Sequence, residues 1–248
     1  MKKVFSSREF DKKRNQKHII FLCDHASNFI PKSYNSLGLP SKVLNSHISW
    51  DIGAKDLCEK VSKALGQSYF YANFSRLLID PNRHLFSSDL IVTNSWGKTI
   101  QAIPGNTDIS LEKKKKRIEN YYKCYHQNLE KFIKKKKAQH KKIYLIAIHS
   151  FTKKTFSKNR GVKIGLLYNK NIDLLLYIQK KLQKNKIHFG RNFPYSGFFY
   201  NYTLDKHSNN GIIDNISIEI RNDLICSLKG IKKYSNLFIK IFESLIND

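Results

Sequence analysis

The segment IIFLCDHASN, residues 19–28, decides the fold that we expect for this chain. Its first five residues are apolar, which is typical of a strand covered on both faces of a sheet, and the run then stops at an acid and an imidazole. The segments IYLIAIHSF, residues 143–151, and ISIEIRND, residues 216–223, repeat this change from apolar to polar. Three such endings indicate a site that is assembled where strands end. The polar residues at these ends are Asp24 and His25, His149 and Ser150, and Glu219 and Arg221.

Short apolar runs alternate with helical patterns along the rest of the chain. The runs predict strands over residues 19–23, 69–74, 77–80, 143–148, 162–167 and 216–220, with a weaker candidate over 187–189. Apolar residues at helical spacing predict helices over residues 51–65, 110–137, 172–183 and 231–246. This alternation predicts a three-layer α/β/α fold with a mostly parallel or mixed central sheet. Ligands of open α/β sheets bind beyond the carboxyl ends of the strands, so we expect His25, His149 and Glu219 to face one crevice.

The length and the cysteine content set the class of protein. With 248 residues, the chain can bury a large core without a disulfide or a structural metal. Its four cysteines are scattered and include no C-x-x-C pair, which argues against a disulfide framework or a cysteine-based zinc site. No apolar run approaches the about 20 residues of a membrane span, and the N-terminus lacks the apolar core of a signal peptide. We therefore expect a cytoplasmic protein with no membrane partner, a disordered basic segment over residues 1–17 and one domain over residues 18–248.

The net charge of +26 is the strongest compositional feature of the chain. A pI near 9.9 usually prompts a nucleic-acid hypothesis. However, the excess is mostly lysine, in runs such as EKKKKRIEN, and it accompanies an enrichment in Asn and Ile that is typical of an AT-biased genome. No helix-turn-helix, zinc-finger or aromatic-basic RNA-binding motif accompanies the charge. We therefore expect no specific nucleic-acid partner, and a positive field that attracts a small anionic substrate.

Two histidines at strand ends make a metal site possible. His25 and His149 can each offer an imidazole nitrogen to zinc, although a buried histidine can also serve as a core residue that hydrogen-bonds to the backbone. The third ligand is open between Asp51, in the segment HISWDIGA, and Asn28, three residues after His25. Asp51 also stands where a carboxylate can stabilise a helix start, and an amide oxygen is a poorer ligand than a carboxylate. The pattern predicts one divalent ion per chain, zinc, with water in an open fourth position.

Glu219 is the predicted general base. A carboxylate at a strand end beside a metal site can take a proton from water and pass it to a leaving amine. Arg221, two residues later, is predicted to belong to the same catalytic group by holding neighbouring carboxylates in place. The alternative for this Glu-Ile-Arg sequence is a surface ion pair.

The segments SRLLIDPNRHLF and PYSGFFYNYTLDKH supply candidates for binding the substrate. The two arginines of the first segment carry planar guanidinium groups that suit a carboxylate, and an asparagine adjoins the second of them. In the second segment, a tyrosine and a histidine can line the pocket, with packing as an equal alternative, whereas packing is the predicted role of Tyr195. The predicted substrate-binding residues are Arg76, Asn82, Arg83, Ser150, Tyr202 and His207.

Seven segments, taken in order, resemble the N-formylglutamate amidohydrolase family, which is related to zinc exopeptidases such as the carboxypeptidases. They are CDHASNFIP, HISWDIGA, SRLLIDPNR, IAIHSF, YSG, YTLDKH and IEIRNDL, and the resemblance covers about residues 19–224. It implies a zinc-exopeptidase-like fold, also described as phosphorylase/hydrolase-like. One departure concerns the exopeptidase motif H-x-x-E, whose glutamate is replaced here by Asn28. The carboxylate ligand must therefore come from elsewhere, with Asp51 as the candidate.

The resemblance implies an activity and roles for five residues, namely His25 and His149 as metal ligands, Glu219 as the activator of water, and Asn82 and Arg83 as carboxylate-binding residues. The implied enzyme is a zinc-dependent amidohydrolase that cleaves a C–N bond other than a peptide bond in a small N-acyl amino acid. If the substrate carries over, it is N-formylglutamate, and the products are formate and glutamate. The alternatives are a hydrolase of another amide, such as a peptide or a cell-wall fragment, and a non-catalytic basic nucleic-acid-binding protein. The complete set of two histidines and one glutamate speaks against the last.

Overall fold

A seven-stranded mixed sheet forms the middle layer of the computed structural model, which describes residues 3–10, 16–96, 100–155 and 159–247. In chain order, the strands are β1 (Phe5–Arg8), β2 (Lys17–Cys23), β3 (Ser68–Ala72), β4 (Asn94–Trp96), β5 (Ile100–Ala102), β6 (Lys142–Phe151), β7 (Ile164–Leu167), β8 (Phe189–Arg191) and β9 (Asp214–Arg221). The order across the sheet is β1-β3-β2-β6-β9-β7-β8, and β4 and β5 form a separate antiparallel pair. Strands β3, β2, β6 and β9 are parallel, whereas β1 is antiparallel to β3 and β7 is antiparallel to β9.

Helices cover both faces of this sheet. In chain order they are α1 (Ser41–Leu44), α2 (Ala54–Leu65), α3 (Leu111–Arg117), α4 (Cys124–Gln139), α5 (Ile172–Lys184), α6 (Gly197–Tyr200), α7 (Tyr202–His207) and α8 (Leu228–Asn247), with a π-helical segment, Ile118–Lys123, between α3 and α4. Helices α2, α5 and α8 pack on one face, and α4 packs with the π-helical segment on the other. The predicted three-layer α/β/α class with a mixed sheet is confirmed. Within the described part of the chain, no helix combines the length and the apolar character needed to cross a membrane.

Alternate residues of the central strands face opposite layers. In β6, Ile146 and Ile148 pack on the side of α2, α5 and α8, whereas Leu145 and Ala147 pack on the side of α4. His149 continues the second series, so its side chain faces the α4 layer just beyond the last apolar residue of that series. The alternation that builds the core thus also decides which layer borders the histidine.

Two expectations about the strands are wrong. Residues 77–80 do not form a strand, because Leu77, Leu78 and Ile79 lie fully buried in a turn on the α4 side. A short apolar run does not by itself distinguish a strand from another buried segment. The disorder expected for residues 1–17 is wrong at β1, whose polar sequence FSSR pairs with β3 along the edge of the sheet. Residues 1, 2 and 11–15 lie outside the described residues.

The start of α2 differs from the prediction in a way that matters for the site. The predicted helix over residues 51–65 begins only at Ala54, because Gly53 adopts a positive φ of 80°. Glycine reaches this left-handed conformation without the steric cost of a Cβ atom. The shift leaves Asp51 in the turn before α2, where its side chain can face the sheet.

Candidate active site

Three side chains from separate segments converge at the carboxyl ends of β2 and β6. His25 follows β2, Asp51 lies in the turn before α2, and His149 lies near the end of β6. Asp51 Oδ2 lies 2.9 Å from His149 Nδ1 and 3.5 Å from His25 Nδ1. All three residues are buried, and one ligand atom from each lies within 4.8 Å of the other two. The structure thus brings together the three residues that were predicted as metal ligands.

A carboxylate stands behind each of the two imidazole rings. His25 Nε2 lies 2.8 Å from Asp80 Oδ1, and His149 Nε2 lies 3.5 Å from Asp24 Oδ2. The Tyr125 hydroxyl donates to Asp24 Oδ1 over 2.7 Å, so a residue of α4 holds this acid in place. The contact of Asp80 is a hydrogen bond of the kind that fixes the tautomer and orientation of a metal-binding histidine, whereas His149 Nε2 and Asp24 Oδ2 have no hydrogen-bond partner among the described residues. Both rings therefore turn the same nitrogen, Nδ1, towards Asp51.

The donor set fits a divalent metal ion. Among the described residues, His25 Nδ1 is buried and has no hydrogen-bond partner. Burial and the nearby Arg76 guanidinium lower the pKa of His25 to about 4, so the ring is neutral at pH 7 and offers a lone pair. Two ligand atoms of a tetrahedral zinc lie roughly 3.3 Å apart, close to the observed separations of 2.9 and 3.5 Å. Two imidazoles and one carboxylate form a zinc ligand set that leaves a fourth position open.

Asp51 lies in the turn before α2 and does not cap this helix. The backbone N–H of Asp51 donates to the His25 carbonyl oxygen over 2.9 Å, which ties the turn to the end of β2. In the described structure no side chain caps α2, whose cap residue is Gly53. The Asp51 carboxylate instead contacts Arg76 and accepts from the Ser150 backbone N–H over 3.2 Å. Of its two predicted roles, the geometry therefore favours that of a ligand.

Asn28 and Ser150 make contacts that differ from their predicted ones. The Asn28 amide, the alternative third ligand, donates to Asn45 Oδ1 over 2.8 Å. Ser150 Oγ donates to the Ile52 carbonyl oxygen over 3.0 Å and so fixes the turn that carries Asp51. A contact between Ser150 and substrate stays a prediction.

Glu219 lies directly beside His149 in the sheet. The register of β6 and β9 pairs these two residues, and side chains paired in this way stand on the same face. Glu219 Oε2 is buried and finds no hydrogen-bond partner in the described part of the chain. Strand β7 lies on the other side of β9 and pairs Gly165 with Glu219. A Cβ atom added to Gly165 would lie 3.3 Å from the Glu219 Cβ. The glycine therefore leaves room for a carboxylate that can accept a proton beside the histidines.

A cavity of about 770 Å³ borders this cluster. Two of its lining residues, Arg76 and Asp80, contact Asp51 and His25, respectively, so the cavity reaches the candidate metal ligands. Its volume falls within the range of about 300–1,000 Å³ that is typical of small-molecule sites. The other charged, aromatic and imidazole residues of its lining are His47, Arg83, Asp89, Arg160, Tyr195 and Tyr200.

Both arginines that were predicted to bind substrate line the cavity, and both contact acids of the protein. Arg76 contacts Asp51 Oδ1 and keeps Nε buried without a partner among the described residues. Arg83 Nε donates to Asp89 Oδ2 over 2.5 Å. Burial alone would lower the pKa of Arg83, but the negative charges of Asp80 and Asp89 raise it above its ordinary value. Both guanidinium groups are therefore charged and already paired.

Asn82 and Arg221 lie outside the lining of this cavity. Asn82 Nδ2 donates to the Tyr200 carbonyl oxygen over 2.8 Å, and its Oδ1 accepts from the Thr203 backbone N–H over 2.9 Å. Its amide thus joins the Asp80 turn to α6 and α7. Arg221 Nε lies 2.7 Å from Asp223 Oδ1 in a local ion pair, with a partner outside the Glu-Ile-Arg sequence. The predicted substrate contact of Asn82 and the catalytic role of Arg221 stay predictions.

Tyr202, which is half-buried and lines a smaller second cavity, and the buried His207 belong to one aromatic group. Tyr202 packs against Tyr122, with 6.4 Å between the ring centroids. His126 Nε2 donates to the Pro81 carbonyl oxygen over 3.0 Å, so its Nδ1 accepts from His207 Nε2 over 2.9 Å. Burial lowers the pKa of His126 to about 3 and that of His207 to about 4. Packing is thus the observed arrangement for both predicted residues, and a contact with substrate stays a prediction.

Three residues of the site were not singled out by the sequence. Asp80 ends the apolar run LLID, the same signal that marked His25, but the run was assigned to a strand. His47 lines the cavity with a buried Nδ1, and burial and Arg76 lower its pKa well below the ordinary value. Its segment HISWDIGA was considered only for the aspartate. Arg160 follows no recognisable motif.

The comparisons with known proteins agree with this arrangement. The profile of the family described as N-formylglutamate amidohydrolase matches residues 17–226. The solved structure of the gene product Atu2144 from Agrobacterium tumefaciens is similar, with a TM-score of 0.89 and 29% identity over 98% of this chain and 96% of that chain. An N-formylglutamate amidohydrolase from Ralstonia eutropha JMP134 shares the fold, with a TM-score of 0.73 and 16% identity over 98% and 97% of the two chains. None of the curated proteins matches the chain.

Proposed function

Because the chain belongs to the N-formylglutamate amidohydrolase family, we propose that it is a zinc-dependent hydrolase of small N-acyl amino acids that carry a carboxylate. N-formylglutamate is the first substrate to test, with formate and glutamate as its products. The observation that carries the proposal is the convergence of His25, Asp51 and His149 beside a cavity lined with arginines. A binding protein without catalysis would have no use for a buried cluster of this composition.

Zinc held by His25, Asp51 and His149 would polarise the scissile carbonyl group and lower the pKa of a bound water molecule. Glu219 would hold the attacking water through its buried Oε2, accept a proton from it and pass that proton to the leaving amine. The position of Glu219 next to His149 in the sheet supports this role. Asp80 and Asp24 would keep the two imidazoles in a fixed orientation during the reaction.

Tyr195 would assist at the carbonyl oxygen of the substrate. It lines the cavity, and burial together with the Glu219 charge raises the pKa of its hydroxyl. The hydroxyl therefore stays protonated at neutral pH and can donate a hydrogen bond to an oxygen that becomes negative.

Metal content and turnover test the proposal together. The proteins are the wild type, His149→Ala and Glu219→Gln, purified without chelators or metal-affinity resin, with His188→Ala as a control because this histidine is exposed and outside the cavity lining. We expect about one zinc per chain in all but His149→Ala. N-formylglutamate turnover should fall by about 100-fold or more in Glu219→Gln, whose zinc is retained.

The same experiment separates the alternatives. Zinc in neither the wild type nor the control, even after zinc is offered, would contradict the metal-dependent mechanism. Zinc without turnover of N-formylglutamate or other N-acyl amino acids would move the assignment to a hydrolase of another amide, such as a peptide.

A further inference from the structure

Arg160 differs from the other arginines of the cavity because, among the described residues, it has no carboxylate partner. Its Nη1 donates to the carbonyl and hydroxyl oxygens of Thr152 over 3.3 and 3.4 Å, which are long distances for hydrogen bonds. Its guanidinium carbon lies 4.8 Å from the ring centroid of Tyr195 and 5.7 Å from that of Phe151. The side chain is half-buried. Aromatic rings thus flank the guanidinium group, which also reaches the Tyr195 hydroxyl, and its remaining N–H groups are available to a ligand.

Arg76 and Arg83 are less available to a ligand than Arg160 is, because acids of the protein already contact them. Arg76 contacts Asp51, and Arg83 donates to Asp89 over 2.5 Å and lies 3.8 Å from Asp80 Oδ2. A carboxylate that approaches either group meets an acid already in place, and like charges repel at such distances. A carboxylate that approaches Arg160 meets no paired acid within the described part of the chain. The cavity therefore has one arginine whose charge is not yet compensated.

The backbone fixes Arg160 relative to the candidate metal ligands. Beyond the end of β6, Lys154 pairs with Asn159 in an antiparallel bridge, and the Arg160 N–H donates to the Lys153 carbonyl oxygen over 2.8 Å. The same strand, β6, carries His149. A substrate group held by Arg160 would thus have a defined position relative to the cluster.

We propose that Arg160 is the substrate-carboxylate receptor of this cavity and determines its preference for N-acyl amino acids with two free carboxylates. This inference rests on the proposed function and names the residue that selects the substrate class. A guanidinium binds a carboxylate through two parallel N–H···O contacts, and this geometry discriminates against a carboxamide, which is neutral and brings donors of its own. Tyr195, beneath the guanidinium, would act as a positioning residue for it. Inorganic phosphate is the other anion that such a group can bind, and it therefore forms a separate arm of the test.

Binding to a protein that does not turn over the ligand tests the inference most directly. Isothermal titration calorimetry would use zinc-loaded Glu219→Gln protein, alone or combined with Arg160→Gln or with Arg191→Gln. Arg191 is the matched control, because it is exposed, pairs with Gln179 and lies outside the cavity lining. The probes are N-formyl-L-glutamate, inorganic phosphate and the two monoamides of N-formyl-L-glutamate. These monoamides are N-formyl-L-glutamine and N-formyl-L-isoglutamine.

We expect the parent protein to bind the diacid roughly 10- to 100-fold more tightly than one of the two monoamides, as a charge-assisted hydrogen-bonded pair would give. Arg160→Gln should weaken binding of the diacid to the level of that monoamide and leave binding of the monoamide itself nearly unchanged. Arg191→Gln should preserve the discrimination. Phosphate should bind weakly and should not compete with the diacid at equal concentration.

Several results would overturn the inference. The first is a preference for the diacid over the monoamide that survives Arg160→Gln, and the second is an equal loss of affinity for the diacid and both monoamides in that variant. The others are a parent protein that does not bind the diacid, and phosphate that displaces the diacid. Failure of the proposed function gives a different result. Wild-type protein that hydrolyses none of these compounds, but binds them with the discrimination intact, would contradict the proposed function and leave the role of Arg160 standing.

Discussion

Asp80→Asn tests how the candidate metal site is held together without changing the size of the side chain. Asp80 Oδ1 lies 2.8 Å from His25 Nε2 and also accepts from the Asn82 backbone N–H over 2.8 Å. Burial alone would raise the pKa of Asp80, but the hydrogen-bonding His25 imidazole and the Arg83 guanidinium hold it well below its usual range. The group is therefore an anion at neutral pH. Asparagine keeps an oxygen that can accept from both donors and removes the charge.

The expected result is a zinc Kd that rises roughly 3- to 12-fold. A hydrogen bond to a charged group contributes roughly 1.5–3 kcal/mol, and a neutral one contributes about half as much, so the substitution removes about 0.75–1.5 kcal/mol. A tenfold change in affinity corresponds to about 1.4 kcal/mol. Loss of a carboxylate that orients a metal-binding histidine costs about 10- to 100-fold in metal affinity, and the two ranges overlap.

Zinc competition against a chromophoric chelator, at fixed pH and ionic strength, measures this change. Asp89→Asn is the matched control, because Asp89 accepts from Arg83 beside the same cavity and is not among the contacts of His25. Its side chain is 44% exposed, and exposed ion pairs contribute about 0–1 kcal/mol, so we expect its zinc Kd to change little. Wild-type affinity in a correctly folded Asp80→Asn protein would refute the positioning role of Asp80. Equal losses in both variants would assign the effect to the charge of the cavity instead.

Two further predictions concern stability. The pKa values of His126 and His207 are lowered to about 3 and about 4, below the about 6.5 of the unfolded chain, so the unfolded chain binds more protons and stability falls as the pH falls from about 6.5 towards those values. We expect the free energy of unfolding, measured with urea, to be about 2 kcal/mol lower per histidine at pH 5 than at pH 7. This loss between pH 7 and pH 5 should shrink in the His126→Gln/His207→Gln double variant, and an unchanged loss would contradict the assignment. Gly165→Ala would place a Cβ atom 2.5 Å from the Phe193 carbonyl oxygen and should cost about 1–3 kcal/mol in thermal unfolding. Gly161→Ala, which meets nothing within 4 Å, should stay within about 0.5 kcal/mol of wild type, and equal effects of the two substitutions would contradict the steric explanation.

The residues at the strand ends were predictable because one local sequence pattern indicates both a buried strand and the polar residues that follow it. An apolar run that stops at a polar residue indicates a buried strand, and in a parallel sheet the carboxyl ends of such strands meet at one edge. His149 and Glu219 are accordingly paired in register, and His25 follows β2, the strand that neighbours β6 and its His149. The pattern left the third candidate ligand open, because the position of Asp51 depends on where α2 begins and thus on the conformation of Gly53.

The supporting residues were not predictable for a different physical reason. Asp80 follows an apolar run that resembles a strand, yet it acts from a turn packed under the sheet. Arg160 owes its position to a turn beyond β6 and to two aromatic rings, one of them on a segment more than thirty residues later in the chain. Contacts of this kind arise only from the tertiary structure, and no spacing rule encodes them.

The positive charge of the chain serves two separate purposes. Lysines occupy exposed helical faces, as in the ion pairs Lys116–Glu112 and Lys134–Glu130, and such solvent-screened pairs contribute little to stability. Three of the eight arginines in the sequence line the cavity instead, and one of them lacks a carboxylate partner among the described residues. Surface charges are screened beyond about 8 Å at physiological ionic strength, and the net charge of +26 attracts anions according to their charge without distinguishing anions of equal charge. The choice among anions of equal charge must then come from the cavity, and added salt should slow the association of all anionic ligands, most strongly for those with two negative charges.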